Sequence, residues 1–252
     1  MTCVFVPKVR LFCVLVSAAF LGACAAPQVG TQIDDPFEVA NRATHAENLV
    51  LDQQFVRPLS NAYGTSVPGP VQKGIANAAD NLSTPSDVLN NLLQVRPGQA
   101  AQNTARFLVN STVGVLGLFD VASAIGIPEA QTDFGETLYY WRVPEGSYAV
   151  LPLVGPSTSR HAVGRFVDLA LNPIRGALPA PESTVGTVFG VADAFGTRYR
   201  NAELIDSVLY ESADSYAQAR LLYLQNRRFQ LRGSEVDADY FDPYEDSHED
   251  FN

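Results

Sequence analysis

The three histidines, His45, His161 and His248, are the first place to look for acid–base or metal chemistry, and they are scattered along the chain. None shares ligand spacing with a second donor, as a zinc site requires. The sequence holds no G-x-S-x-G elbow, no S-x-x-K dyad and no Walker or dinucleotide phosphate loop. A Ser-His-Asp site assembled from distant residues is defined by geometry and stays open at this level. Asp237-Ala238-Asp239 begins like a calcium loop but lacks glycine at the sixth position, and reads as solvated charge. The expectation is a protein without catalytic residues, metal or cofactor.

Two other groups do carry chemistry. Leu21-Gly22-Ala23-Cys24 closes an apolar run that begins behind Lys8 and Arg10, the order of a bacterial lipoprotein signal. Cleavage before Cys24 leaves its thiol to carry a diacylglycerol, and the remaining cysteines, Cys3 and Cys13, both lie in the leader. The second group is a polar stripe: Gln99, Gln102, Asn103, Arg106 and Asn110 recur at three- and four-residue steps, with Asp120 beyond them. Such a helix is expected to keep one wet face, and the Arg106 fork matches phosphate geometry.

The elements that position these residues read as mainly α. Residues 1–23 form the signal peptide and 24–34 a small, polar tether with Pro27 and Gly30. Asp35-Pro36-Phe37-Glu38 opens a helix expected to stop at Arg57-Pro58. After Val67-Pro68-Gly69-Pro70 a second helix is expected through Leu82, and a third from Thr84-Pro85 to Arg96-Pro97-Gly98. From Phe107 to Ile127 the only charge is Asp120, and the segment admits two readings: a buried core helix, or a helix lying in a monolayer with its amide stripe toward water. Leu138–Val143 and Tyr148–Leu151 around Pro144-Glu145-Gly146-Ser147 predict a hairpin, with Trp141 in the aromatic cluster. Gly155-Pro156-Ser157-Thr158 reads as a helix entry, with Val163, Phe166, Val167 and Ala170 on the apolar face and Asn172-Pro173 closing it. A proline-rich connector spans 172–182, and Gly186, Gly190 and Ala194 form a small-residue stripe. The final helix is capped by Asp214 and ended by Gly233, and 234–252 is an acidic tail expected to be disordered.

Charge narrows the partners. The full chain carries 17 Lys and Arg against 27 Asp and Glu. Eight of the carboxylates crowd into Glu235–Asn252, so the body is nearly balanced and nucleic acid is an unfavourable partner. Lys73 is the only lysine after Cys24; every other base there is arginine. No segment after Cys24 supplies the roughly 18 unbroken apolar residues of a spanning helix.

Several stretches together resemble the VacJ/MlaA family of outer-membrane lipoproteins. They are Asp35-Pro36-Phe37-Glu38 with Asn41-Arg42, Phe55-Val56-Arg57-Pro58, Asn81-Leu82 through Pro85, Ala105 to Gly114 with Leu118-Phe119-Asp120, Asp133-Phe134-Gly135, and Leu151-Pro152 with Gly155-Pro156-Ser157-Thr158. Tyr216 and Tyr223-Leu224-Gln225 continue the likeness, which covers most of residues 35–230. It implies one ring-like helical domain over 35–233 with a short hairpin-like excursion, held in the inner leaflet of the outer membrane beside a trimeric porin. It also implies that misplaced phospholipids leave the outer leaflet through a central channel for a periplasmic carrier. The alternative is an adaptor lipoprotein that binds a porin or periplasmic partner and moves no lipid. Members commonly carry an acidic residue where this chain has His161 after Arg160. On this reading Gln99, Gln102, Asn103, Arg106, Asn110 and Asp120 line the channel and meet headgroups.

Overall fold

The computed structural model describes residues 35–172 and 184–236. The expected signal peptide, Cys24 with its expected tether, the connector from 173 to 182 and the acidic tail from 237 lie outside the described residues.

Helix α1 (Glu38–Leu51) passes through a π-helical turn, Asp52–Val56, into α2 (Arg57–Ser66). The expected stop at Arg57-Pro58 is absorbed, because Pro58 stands in the first turn of α2 and the Arg57 N–H reaches back five residues to the Asp52 carbonyl. Arg198 grips this turn from another helix, donating to both Asp52 oxygens at 3.0 and 2.9 Å and to Asp206 at 2.6 Å. Helix α3 (Gly69–Leu93) likewise runs through Pro85, where two helices were expected. The hydroxyls of Ser83 and Thr84 both donate to the Asp80 carbonyl in the turn before the proline. Packing against two other helices then overrides the local breaker.

Helix α4 (Pro97–Thr112) carries the polar stripe. Neither sequence reading of Val113–Phe119 survives, since the segment is a series of turns with Val115 and Leu116 at φ of 53° and 58°. Its tightness rests on Gly114, where a Cβ would stand 2.2 Å from the Phe119 carbonyl oxygen and 2.5 Å from that of Asn110. Then come α5 (Val121–Ala124) and α6 (Phe134–Tyr140), the latter capped by the Asp133 carboxylate on the Glu136 N–H. That cap starts a helix where the sequence predicted a strand, so the hairpin lies further on. It is β1 (Tyr148–Leu151) against β2 (Gly155–Thr158), antiparallel, with Tyr148 opposite Thr158 and Leu151 opposite Gly155. Gly155–Thr158 is therefore a strand, and α7 (Ser159–Leu171) starts after it, capped by Thr158. Two amides of α1 cover the free edge of β1. Asn41 donates to the Tyr148 carbonyl and accepts from the Val150 N–H, and Asn48 does the same for Leu151 and Leu153.

Helix α8 (Val185–Arg200), α9 (Ala202–Asp206), a second π-helical turn (Ser207–Glu211) and α10 (Ser215–Val236) complete the chain. Asp214 caps α10 through the Ala217 N–H as expected, but the helix runs three residues past Gly233. The small-residue stripe of α8 is not its crossing point: nothing lies within 4 Å of a Cβ placed on Gly190. The close crossing uses Gly64 of α2, where a Cβ would meet the Tyr199 ring at 2.2 Å.

Contacts run from α1 to β1, β2, α7, α6, α3, α8, α2 and back to α1, a closed circuit with α4 seated on α3. Polarity along this circuit is inverted. Among the described residues eight apolar side chains are buried against nineteen polar or charged ones, the reverse of a water-soluble core. At the end of α3 and its C-cap, Asn90, Asn91 and Gln94 are buried while Leu92 and Leu93 are exposed. In α7 the residues expected to face a core, Val163 and Phe166, point outward, and Phe166 is 68% exposed. Leu108, Val113, Leu116 and Phe119 are exposed in the same way. No described helix is long and apolar enough to cross a membrane.

Candidate functional site

A cavity of about 850 Å³ opens in this polar interior, within the usual range for small-molecule sites. Helix α3 brings Ser83, Ser86 and Asp87 to it; Arg96 and Gln99 come from the start of α4, and Glu129 to Asp133 from the following loop. Glu136 of α6, Arg165, Asp168 and Leu169 of α7, and Arg227 and Gln230 of α10 close the wall.

Its charges are unequally satisfied. Arg227 makes a two-pronged pair with Asp133, both bonds 2.7 Å, and Arg96 reaches Glu136 at 2.7 Å. Burial pushes the Asp133 carboxyl up, yet the Arg227 fork outweighs it and leaves the group below its ordinary value. Asp168 accepts from the Asn90 amide at 2.8 Å and the Phe134 N–H at 3.0 Å, and Asp87 accepts from the Thr132 N–H at 3.2 Å. Neither has a cationic partner among the described salt bridges, and burial lifts both, Asp87 to about 7. Arg165 forms no salt bridge among the described residues, and its Nε donates to His161 Nε2 at 3.2 Å. The other imidazole nitrogen lies 2.7 Å from the Tyr223 hydroxyl. Burial and then the neighbouring Arg227 and Arg165 hold His161 down at about 4, so it is neutral near pH 7 and accepts the Arg165 bond with a lone pair.

Asp87 yields a pH prediction. Its carboxyl titrates higher in the folded chain than the 3.8 of a free aspartate. The folded state therefore loses stability as pH rises from about 4 to 7 and its charge is forced into a buried site. Asp87→Asn, which keeps an oxygen for the Thr132 N–H, is expected to raise stability by about 1–2 kcal/mol at pH 8 and to change little at pH 4. Thermal unfolding of both proteins at the two pH values checks this; an equal shift at both would refute the charge argument.

The sequence-derived residues divide. Gln99 is on the cavity wall. The rest of the stripe binds the loop that returns beneath α4. Gln102 donates to the Pro128 carbonyl, and the Asn103 amide both donates to and accepts from Ala130. Arg106 donates to Asp120, Ser123 and the Ile127 carbonyl. Asn110 donates to Asp120 and accepts from the Ala122 N–H. The face read as wet is thus buried against protein, Asn103 being 0% exposed, because irregular backbone needs donors and acceptors that apolar side chains cannot supply. Desolvation opposes the ionised Asp120, but its bonds to Ser123 and Asn110 and the Arg106 charge outweigh this and hold the carboxyl down at about 2. Arg106, Asn110 and Asp120 also edge a second, smaller cavity of about 30 Å³, which shares Glu129 with the first.

Sequence reasoning missed Asp87, Arg165, Asp168 and Arg227. Arg165 and Asp168 stand three residues apart on one helical face, a usable signal that the apolar pattern of Val163, Phe166, Val167 and Ala170 drew attention away from. A Ser–His pair does occur, Ser215 Oγ lying 3.0 Å from His45 Nε2, but His45 is buried against Tyr216 and neither residue lines either cavity. No group of three His, Cys, Asp or Glu among the described residues is placed to hold a metal.

Comparison with known proteins gives three findings. Residues 33–230 match the model of the MlaA lipoprotein family. The chain is similar to the intermembrane phospholipid transport system lipoproteins MlaA of Shigella flexneri (34% identity, covering 91% of each chain) and Haemophilus influenzae (32%, covering 88% of this chain and 90% of that one). With an uncharacterised protein of Rickettsia felis it shares 35% identity over 57% of each. A solved structure reported as "Structural basis for maintenance of bacterial outer membrane lipid asymmetry" superposes with a TM-score of 0.66 and 30% identity, covering 78% of this chain and 98% of that one.

Proposed function

Because the chain belongs to the MlaA lipoprotein family, we propose that it is an outer-membrane lipoprotein that withdraws phospholipids from the outer leaflet and passes them to a periplasmic carrier, so maintaining lipid asymmetry. The names of its relatives, which concern intermembrane phospholipid transport and outer-membrane lipid asymmetry, support that assignment. The observation that carries the mechanism is a large charged cavity inside a body whose exposed faces include Leu108, Leu116, Phe119 and Phe166.

Moving a headgroup through hydrocarbon strips it of water at a cost of several kcal/mol or more. The polar cavity replaces that water, while the acyl chains stay against apolar surface. Gln99 meets the headgroup directly. Gln102 and Asn103 fix the loop that forms one wall, and Arg106, Asn110 and Asp120 brace the same return of the chain beside the smaller cavity. No covalent step, metal or cofactor is needed. Acylated Cys24 anchors the body in the inner leaflet, where the apolar faces are the second of the two attachments that stable membrane binding requires. A trimeric porin beside the exposed apolar faces gives access to the outer leaflet.

The test is transfer of labelled phospholipid from vesicles containing the acylated protein to a soluble lipid carrier. Transfer is expected to rise at least tenfold over protein-free vesicles. An adaptor that only docks a porin or carrier leaves the rate unchanged, and that result would sink the conduit reading.

A further inference from the structure

Three arginines reach the large cavity, and two are spent on carboxylates: Arg96 on Glu136 and Arg227 on Asp133. Arg165 is different. Its Nε is held by neutral His161, which aims the guanidinium, and both terminal nitrogens remain without a partner among the described hydrogen bonds. A fork so presented takes two oxygens of a phosphodiester.

The same wall carries carboxylates that no arginine neutralises. Asp168 stands one turn along α7 from Arg165 with only amide partners, Asp87 has one backbone N–H, and Glu129 is exposed at the cavity without a described partner. Even with Asp87 protonated, the four other acidic side chains against three arginines leave the lining negative, so a headgroup with net negative charge meets repulsion.

We propose that this cavity selects a zwitterionic aminophospholipid, with the phosphodiester on Arg165 and the ammonium of a phosphoethanolamine head among Asp168, Asp87 and Glu129. The two-carbon ethanolamine spacer keeps the ammonium near its phosphate, as Arg165 and Asp168 are kept near each other by their three-residue spacing. A glycerol headgroup offers the phosphate and no cation. The proposal rests on the conduit reading and adds headgroup choice to it.

The test uses the full-length protein in detergent with mixed micelles of equimolar phosphatidylethanolamine and phosphatidylglycerol, counting retained lipids by mass spectrometry. Retention is expected to favour the ethanolamine lipid by about fivefold, the worth of one partly solvated charge contact. Arg165→Gln is expected to lower retention of both lipids, since the phosphate is common to them, whereas Asp168→Asn brings the ratio toward one. Asp168 also holds the Phe134 N–H, so Glu129→Gln is the second variant, free of that structural bond, and it too should narrow the ratio. Equal retention of both lipids by the unaltered protein would overturn the selection and leave the conduit standing; retention of neither would overturn both. Displacement of the lipid by water-soluble glycerophosphoethanolamine would make a free phosphodiester the ligand and overturn the lipid assignment.

Discussion

Asp133→Ala is expected to lower the unfolding free energy by about 3–5 kcal/mol, the cost of removing one partner of a buried ion pair. Asp133 does two jobs at once. Its oxygens take both prongs of Arg227 at 2.7 Å, and one of them also caps α6 through the Glu136 N–H at 2.8 Å. Loss of the cap alone is worth about 1 kcal/mol. The larger part comes from Arg227, 8% exposed, which keeps its charge and loses its counterion. Water in the cavity tempers that loss toward the lower end. For a body of this size the midpoint of thermal unfolding should fall by about 10 °C. Asp133→Asn retains an oxygen for the cap but not the charge, and should fall between the two. Circular dichroism melts of the three detergent-solubilised proteins decide it: an unchanged midpoint in Asp133→Ala would show that the pair contributes nothing.

Gly164→Ala is expected to cost about 3 kcal/mol and to abolish lipid transfer. A Cβ at Gly164 would stand 2.4 Å from the Gly135 nitrogen and 2.7 Å from its Cα, so α6 and α7 meet backbone to backbone. No rotamer relieves that clash, and the two helices must separate. Both carry cavity walls, Glu136 on α6 and Arg165 with Asp168 on α7, so separation moves the charges proposed to receive the headgroup. Gly190→Ala is the control. With nothing within 4 Å of its Cβ, it should be neutral or add about 0.5–1 kcal/mol through reduced freedom of the unfolded chain. Transfer that survives Gly164→Ala with normal stability would remove the α6–α7 crossing from the functional account.

Much of this protein was legible before any coordinates. The caps at Asp133, Thr158 and Asp214 are side-chain chemistry within three residues, and two of the helices they start were anticipated. The polar stripe of α4 stood out because its helical period is strict, and the order of motifs from Asp35 to Gln225 sufficed for the family resemblance. Pro58 and Pro85 misled, since their effect on a helix depends on whether neighbouring helices and side chains supply what a missing N–H removes. The hairpin was displaced because β-rich residues 138–143 lie just downstream of a cap that commits the chain to a helix first.

What the sequence by itself determined is that its helices have two unlike faces. Only the tertiary structure decided which face points inward. Helical periodicity is unchanged when inside and outside are exchanged, and the usual assignment assumes water outside. Here Asn90, Gln94 and Asn103 are buried and Arg165 and Asp168 reach the cavity, while Leu92, Leu108 and Phe166 are exposed. Nothing in the local sequence therefore singled out Arg165. Its significance depends on carboxylates taken by Arg96 and Arg227 from elements 40 and 94 residues apart in sequence, and no local pattern encodes which cation is left over.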